Sequence, residues 1–192
     1  MPVTKLDDRC ALVVIDLQKG IVSIPTAHPA AEAAEIVARS ARLASAFRQH
    51  GMPVVWVNVT GQPSGRTDVQ RPKAAFPPDW TELAPELGAQ PTDLRITKRC
   101  VGAFPGTSLD ADLRQRGVTQ VFLAGISTGF GVESTLRTAY DLGYNVVAVV
   151  DAMTDRTAET HSFCVEKVFP RIAETATVGE VLRLLATRPK QH

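Results

Sequence analysis

The chain has 192 residues, of which 44% are hydrophobic and 21% are charged, and its formal net charge is +1. This length and composition predict a single globular domain, 1–192, with a sizeable core. A charge this close to zero, without a basic stripe, argues against nucleic acid or an anionic membrane surface as a partner. The apolar runs are far shorter than the roughly 20 residues of a membrane-spanning helix.

The cysteines and the N-terminus bear on the compartment. Cys10, Cys100 and Cys164 are odd in number and widely spaced, and none belongs to a C-x-x-C pair. Such a set is not a disulfide framework or a zinc or redox motif. The N-terminal MPVTKLDDRC has no apolar segment of a signal peptide. These features predict a reduced, cytoplasmic compartment.

Short apolar runs predict the strands. They are apolar and β-branched at successive positions, a pattern typical of strands buried on both faces in a parallel sheet. The five runs cover 11–15, 53–59, 94–97, 121–124 and 145–150.

Segments with helical spacing lie between and after the strands, and glycine or proline follows most of them. These segments cover 30–50, 108–116, 132–142, 158–168 and 178–186. Strands that alternate with helices predict an α/β fold, a three-layer α/β/α sandwich with right-handed crossovers.

The region at about 60–91 does not follow this alternation of strands and helices. It is rich in proline and has no clear period. A segment of this length is unusual for a passive loop. It could be a lid or an oligomer contact, and the alternative is a surface excursion with no direct role.

Polar residues follow three of the predicted strands. Asp16 ends the first run, Lys98 follows the third, and the turn GISTGFG, 125–131, follows the fourth. Ligands of open parallel sheets bind beyond the carboxyl ends of the strands. An ionisable residue placed there is partly desolvated, so its pKa can move. The alternative for Asp16 and Lys98 is a structural ion pair.

The glycine-rich turn leads into a predicted helix. Backbone N–H groups at such a helix start can hold a carboxylate, a phosphate or an oxyanion. Gly131 also permits a close approach of the backbone. The alternative is an ordinary strand-to-helix turn.

Three stretches stand out in the sequence: DLQKG after the first strand, TKRCVGAFPGTSLDADLRQRGV in the middle, and GISTGFGVESTLRTAYDLGYNVVAVVDAMTD. Together they resemble the isochorismatase-like hydrolases, which include isochorismatases, nicotinamidases and N-carbamoylsarcosine amidases. The resemblance runs from about Cys10 to about Leu185. It implies a six-stranded parallel sheet in the order 3-2-1-4-5-6, a cis peptide at Ile126–Ser127, and a homodimer or higher homo-oligomer.

The resemblance also implies catalytic residues. Amidase members of the family use an Asp–Lys–Cys triad, to which Asp16 and Lys98 correspond, whereas the cysteine position falls on Gly131. Cys100 and Cys164 do not align with that position. Glycine cannot form an acyl-enzyme. The resemblance therefore favours the isochorismatase branch, which does without the cysteine.

Hydrolysis of an enolpyruvyl ether, as in isochorismate, begins with protonation of the vinyl carbon and requires a general acid. Asp16 is the expected acid, with a pKa raised by burial. Lys98 would oppose that rise, unless its charge serves the carboxylate of the substrate. We expect the turn residues Ser127, Thr128, Gly129 and Phe130 to bind this small, anionic substrate, through backbone amides among others.

Further residues complete the predicted site. Arg66 in the excursion is expected to contact the substrate anion, whereas Arg71 and Lys73 are expected to be solvated. Phe104 is expected to wall the pocket, with core packing as the alternative. No histidine lies between His50 and His161, where the nicotinamidase branch holds a metal, so neither a metal nor another cofactor is expected. Two alternatives to this hydrolase remain open: a non-catalytic binding protein and a hydrolase of unknown substrate.

Overall fold

The computed structural model describes residues 3–23, 30–68 and 76–188. Within them, six parallel strands form one sheet in the order β3-β2-β1-β4-β5-β6, as the family resemblance implies. The strands are β1 (Cys10–Ile15), β2 (Val54–Val59), β3 (Leu94–Lys98), β4 (Gln120–Ile126), β5 (Asn145–Thr154) and β6 (Glu174–Ala176). The apolar runs predict the first five, but β5 continues past the predicted end at 150.

Helices connect the strands. They are α1 (Lys19–Val22), α2 (Ala30–Gln49), α3 (Leu109–Gln115), α4 (Glu133–Asp141), α5 (Ala158–Phe163) and α6 (Val178–Thr187). A wide turn of π type, Thr128–Val132, leads into α4, and a second one, Cys164–Val168, forms the last part of the helix predicted at 158–168. In the part of the chain that the structure describes, none of the helices has the length and apolarity needed to cross a membrane.

The sheet separates two apolar cores. Leu12 and Val14 of β1 face the core beneath α2 and α6, whereas Val13 and Ile15 face the core beneath α3 and α4. All six residues of β1 are buried. This burial on both faces explains the continuous apolar runs and confirms the three-layer sandwich.

The second half of the Pro-rich excursion packs over the loop that follows β1. The side chain of Gln18, which is fully buried, accepts from Val59 N at 2.7 Å and donates to the Trp80 carbonyl at 3.0 Å. Gly20 N also donates to that carbonyl, at 3.0 Å. The excursion is therefore anchored at the edge of the sheet where β1 and β2 end. Its role as a lid or an oligomer contact stays a prediction.

This contact leads to a stability prediction for Gly20→Ala. A Cβ at position 20 would overlap the indole ring of Trp80. The ring or the loop must then move, and we expect a destabilisation of about 1–3 kcal/mol. The control is Gly65→Ala in the same excursion as Trp80, where no heavy atom of the described residues lies within 4 Å of the added Cβ. Equal urea midpoints for the two variants would contradict the packing of Trp80 against Gly20.

Candidate active site

Asp16 and Lys98 form a buried ion pair at the carboxyl edge of the sheet. Lys98 Nζ lies 2.7 Å from Asp16 Oδ2, and the two side chains are 3% and 8% exposed. Lys98 is the last residue of β3, and its side chain reaches past β2 to the end of β1. Asp16 has a φ of 56°, a left-handed conformation that is uncommon for a residue with a side chain. The structure thus brings together the two polar residues that the sequence places at strand ends.

The Lys98 ammonium is fully engaged within the protein. Besides Asp16, its Nζ donates to the carbonyl of Val101 at 2.7 Å and to that of Cys100 at 3.4 Å. An ammonium group has three N–H donors, so each has a partner here. In this arrangement the charge of Lys98 serves Asp16. The expectation that Lys98 spends its charge on the substrate carboxylate stays a prediction.

The carboxyl group of Asp16 has a raised pKa, and one of its oxygens has no hydrogen-bond partner among the described residues. Burial raises its pKa to about 6, and the charge and hydrogen bond of Lys98 limit that rise. Oδ2 contacts Lys98, whereas Oδ1 is buried without a hydrogen-bond partner among the described residues. Buried polar atoms without partners are rare in native proteins. A proton held on Oδ1 would have no protein acceptor and could be given to a bound molecule.

Gly131 borders directly on this carboxyl group. A Cβ built at position 131 would lie 3.3 Å from Asp16 Oδ2 and 3.1 Å from Ile15 Cγ2. A side chain here would therefore extend beside the ion pair, where the resemblance implies a nucleophile. With glycine at this position, no side chain stands beside Asp16.

The turn before α4 has its own hydrogen bonds. The Ile126–Ser127 peptide is cis, which confirms the expectation. The Ser127 carbonyl accepts from Phe130 N at 3.2 Å and from Val132 N at 3.1 Å, and Gly129 N donates to Asp155 Oδ2 at 2.6 Å. These three amides already have protein acceptors. The expectation that backbone amides of the turn bind the substrate stays a prediction.

The side chains of the turn point to different surroundings. Phe130 is 63% exposed, Ser127 is half-buried, and Thr128 is fully buried. Thr128 Oγ1 lies 2.9 Å from Nδ1 of His161. The substrate-binding roles expected for the turn residues stay predictions.

Phe104 and Arg66 differ in their relation to the site. Phe104 is buried in the core beneath α3 and α4, with its ring centroid 6.0 Å from that of Tyr144, the residue before β5. Tyr144 lies at the amino end of the strand, so this packing favours the core alternative for Phe104, and its role as a pocket wall stays a prediction. Arg66 is exposed, and its role stays a prediction. Arg71 and Lys73 lie outside the described residues.

Cys164 and Cys10 are poorly suited to nucleophilic attack from another position. Cys164 is buried behind the turn, and its Sγ donates to Glu133 Oε2 at 3.3 Å. Burial, and to a smaller extent the Glu133 carboxylate, raises the pKa of the Cys164 thiol to about 12. Burial likewise raises the pKa of Cys10, at the start of β1, to about 11. The attacking species of a cysteine is the thiolate, and the raised pKa values of these two thiols disfavour it at neutral pH.

Asp155 and His161 contact the turn, but neither was predicted from the sequence as a site residue. Asp155 follows β5 directly. Ligands bind beyond the carboxyl ends of parallel strands, and this argument, which selects Asp16, also applies to Asp155. The predicted strand ended at 150, directly before Asp151, whose Oδ1 instead accepts from Val178 N at the start of α6. Among the residues that the structure describes, no group of three or more His, Cys, Asp or Glu could hold a metal ion. The absence of a cofactor stays a prediction.

The sheet order and the Asp16–Lys98 pair define the isochorismatase-like class of α/β hydrolases. The model of the Isochorismatase domain family matches residues 10–180, and the chain belongs to that family. It is similar to the isochorismatase family protein YecD of Escherichia coli O157:H7, with 42% identity over 91% of this chain and 95% of the relative.

A solved structure and a named hydrolase extend this similarity. The structure of an isochorismatase family protein from Burkholderia thailandensis has a TM-score of 0.89 and 42% identity, and covers 95% of this chain and 98% of the other. A Bacillus subtilis protein named isochorismatase is 29% identical over 95% of this chain and 60% of the relative. The similarity thus spans nearly the whole described domain.

Proposed function

We propose that the protein hydrolyses a small, carboxylate-bearing enolpyruvyl ether without a nucleophilic cysteine, using Asp16 as the general acid. The observation that carries the proposal is Asp16 Oδ1, which is buried and has no hydrogen-bond partner among the described residues, on a carboxyl group with a pKa of about 6. Gly131 places no side chain beside this carboxyl group. The similarity to a Bacillus subtilis protein named isochorismatase supports this choice of substrate class.

The reaction begins when the protonated carboxyl of Asp16 gives its proton to the CH2 carbon of the vinyl ether. The π electrons form the new C–H bond and leave an oxocarbenium ion. Asp16 is then an anion 2.7 Å from Lys98 Nζ, whose charge stabilises it. Burial thus lets Asp16 hold a proton near neutral pH, and Lys98 makes the proton easier to release.

Water completes the reaction. Its oxygen bonds to the oxocarbenium carbon, and one of its protons returns to the Asp16 carboxylate. The resulting hemiketal collapses with cleavage of the C–O bond to the alcohol, which takes up the hydroxyl proton. The products are pyruvate and an alcohol, and Asp16 is again protonated. No step needs a covalent bond to the protein.

A second candidate is the hydrolysis of an uncharged substrate by the same acid. The observation in its favour is that Lys98 and three amides of the turn already have acceptors within the protein. For the anionic substrate, the exposed Arg66 is the proposed partner, because guanidinium binds carboxylate in a bidentate manner. A homo-oligomer and a cytoplasmic location also stay proposals.

The test is pyruvate release from isochorismate, coupled to lactate dehydrogenase and followed between pH 5 and 8. Since Asp16 must be protonated, kcat should be level well below its pKa of about 6 and fall as the pH rises through it. The decline should approach about tenfold for each pH unit. A rate that is level up to pH 8 would contradict the role of Asp16, and an absence of pyruvate would contradict the substrate class.

A further inference from the structure

The turn that carries Gly131 makes hydrogen bonds to a second group of polar residues, Asp155 and His161. Thr128 begins the wide turn Thr128–Val132, and its side chain is fully buried. Its Oγ1 lies 2.9 Å from Nδ1 of His161 on α5. No other partner of this hydroxyl occurs among the described residues. The contact joins residues 33 positions apart in the chain.

The next residue of the turn is held by the end of β5. Gly129 N donates to Asp155 Oδ2 at 2.6 Å, and the other oxygen of that carboxylate accepts from Arg156 N at 2.7 Å. A Cβ at Gly129 would lie 2.8 Å from a Thr160 methyl carbon and 3.1 Å from Cys164 Sγ. The first two residues of the turn thus pack closely against α5 and the residues on either side of it.

We propose that His161 is a positioning residue, whose neutral ring accepts the Thr128 hydroxyl and thereby fixes the turn so that Gly131 faces Asp16. The inference rests on the proposed function, because the turn borders the site of proton transfer. It assigns His161 no contact with the substrate. The position of the turn is what we expect His161 to control.

The surroundings of His161 favour its neutral form. Burial lowers its pKa, and the carboxylates of Asp155 and Glu32 partly oppose that change. These two carboxylates face it from the end of β5 and from α2, while Glu159 and Glu166 belong to its own helical segment. The resulting pKa lies below the ordinary histidine value of about 6.5.

Protonation would change the contact with Thr128. In the neutral ring with its proton on Nε2, Nδ1 accepts from the hydroxyl. In the imidazolium, Nδ1 becomes a donor, and the hydroxyl must turn its own proton away. Because Thr128 Oγ1 is buried with no second acceptor among the described residues, we expect the turn to shift on protonation.

Nuclear magnetic resonance tests the positioning without a substrate. Asp16 also titrates beside Gly131, so the measurement uses Asp16→Asn as the background. We expect the amide resonances of Gly129 and Gly131 to titrate with the midpoint of the His161 ring. Adding His161→Asn, which retains an acceptor but cannot titrate, should abolish that response, whereas the control His50→Asn at the end of α2 should not. Amide resonances of Gly129 and Gly131 that do not change with the midpoint of the His161 ring would overturn the inference.

Activity provides a second readout. With Asp16 intact, His161→Leu should lower kcat about tenfold, the rate equivalent of about one hydrogen bond, with little change in KM. His161→Asn should remain within about twofold of the wild type, because an acceptor is retained. Equal losses in both variants would overturn the inference.

The two readouts separate this inference from the proposed function. If the wild type releases no pyruvate, the proposed function fails, and the amide titration still decides the role of His161. If the wild type is active but the amides do not follow His161, only the positioning role falls.

Discussion

Asp16→Asn should lower kcat for pyruvate release by about 10²–10⁴, the usual contribution of a general acid. The amide has nearly the size of the carboxyl group but has no acidic proton to give to the vinyl carbon. KM should change little, because the acid acts on the reacting carbon in the transition state. Steady-state kinetics at pH 6, near the expected pKa of Asp16, provide the measurement.

The matched control is Asp93→Asn. Asp93 is also a buried carboxylate in an ion pair, with its side chain 2% exposed and Arg48 NH2 2.6 Å away. It lies just before β3, at the opposite edge of the sheet from Asp16. Its loss should lower the free energy of unfolding by about 1–3 kcal/mol and leave kcat within about twofold.

The two variants distinguish chemistry from stability. Asp16→Asn also leaves Lys98 buried without its counter-ion, so it too should be less stable than the wild type. If both variants lose turnover in proportion to their stability, the effect of Asp16 is structural. If Asp16→Asn remains fully active, Asp16 is not the acid.

Much of the fold could be predicted from the sequence, because buried parallel strands have a simple pattern. Five strands are visible as apolar runs, and β1 and β4 are buried at every position. β6 has only three residues, Glu-Thr-Ala, which are too few and too polar for that pattern. The strand order followed from the family resemblance, since apolar runs alone do not specify which strands are neighbours.

The site was predictable only in part. Asp16 and Lys98 follow strands in a parallel sheet, which is enough to place them at one edge. The partners of Lys98 could not be predicted, because they depend on how the loop brings the carbonyls of Cys100 and Val101 back to its ammonium. The Thr128–His161 contact is equally invisible, since no local pattern links residues so far apart in the chain.

Gly131→Cys is the variant expected to change the reaction. Gly131 is not among the glycines with positive φ, so a residue with a side chain can adopt its backbone conformation. The new Cβ would lie 3.3 Å from Asp16 Oδ2, and Ile15 Cγ2, at 3.1 Å, would have to yield slightly. The thiol would then stand beside a carboxyl group that can accept its proton and a lysine that can stabilise the charge.

We expect this variant to lose at least about tenfold in pyruvate release, because the sulfur occupies the space beside the acid. We also expect it to gain amidase activity, measured as ammonia released from nicotinamide, with an acyl-enzyme detectable by intact mass. Gly131→Ser is the control, since it fills similar space without a thiol.

The pattern of loss and gain decides what the glycine does. If both variants lose pyruvate release, Gly131 provides room for the ether substrate. If the cysteine variant alone also releases ammonia, the same pocket can support a nucleophile. Unchanged pyruvate release in both would mean that the substrate does not use the space beside Asp16, and the proposed geometry of proton transfer would be wrong. Loss without any amidase gain would mean that the pocket has diverged beyond its nucleophile, which would favour an acid-catalysed mechanism built around Asp16 and Lys98 alone.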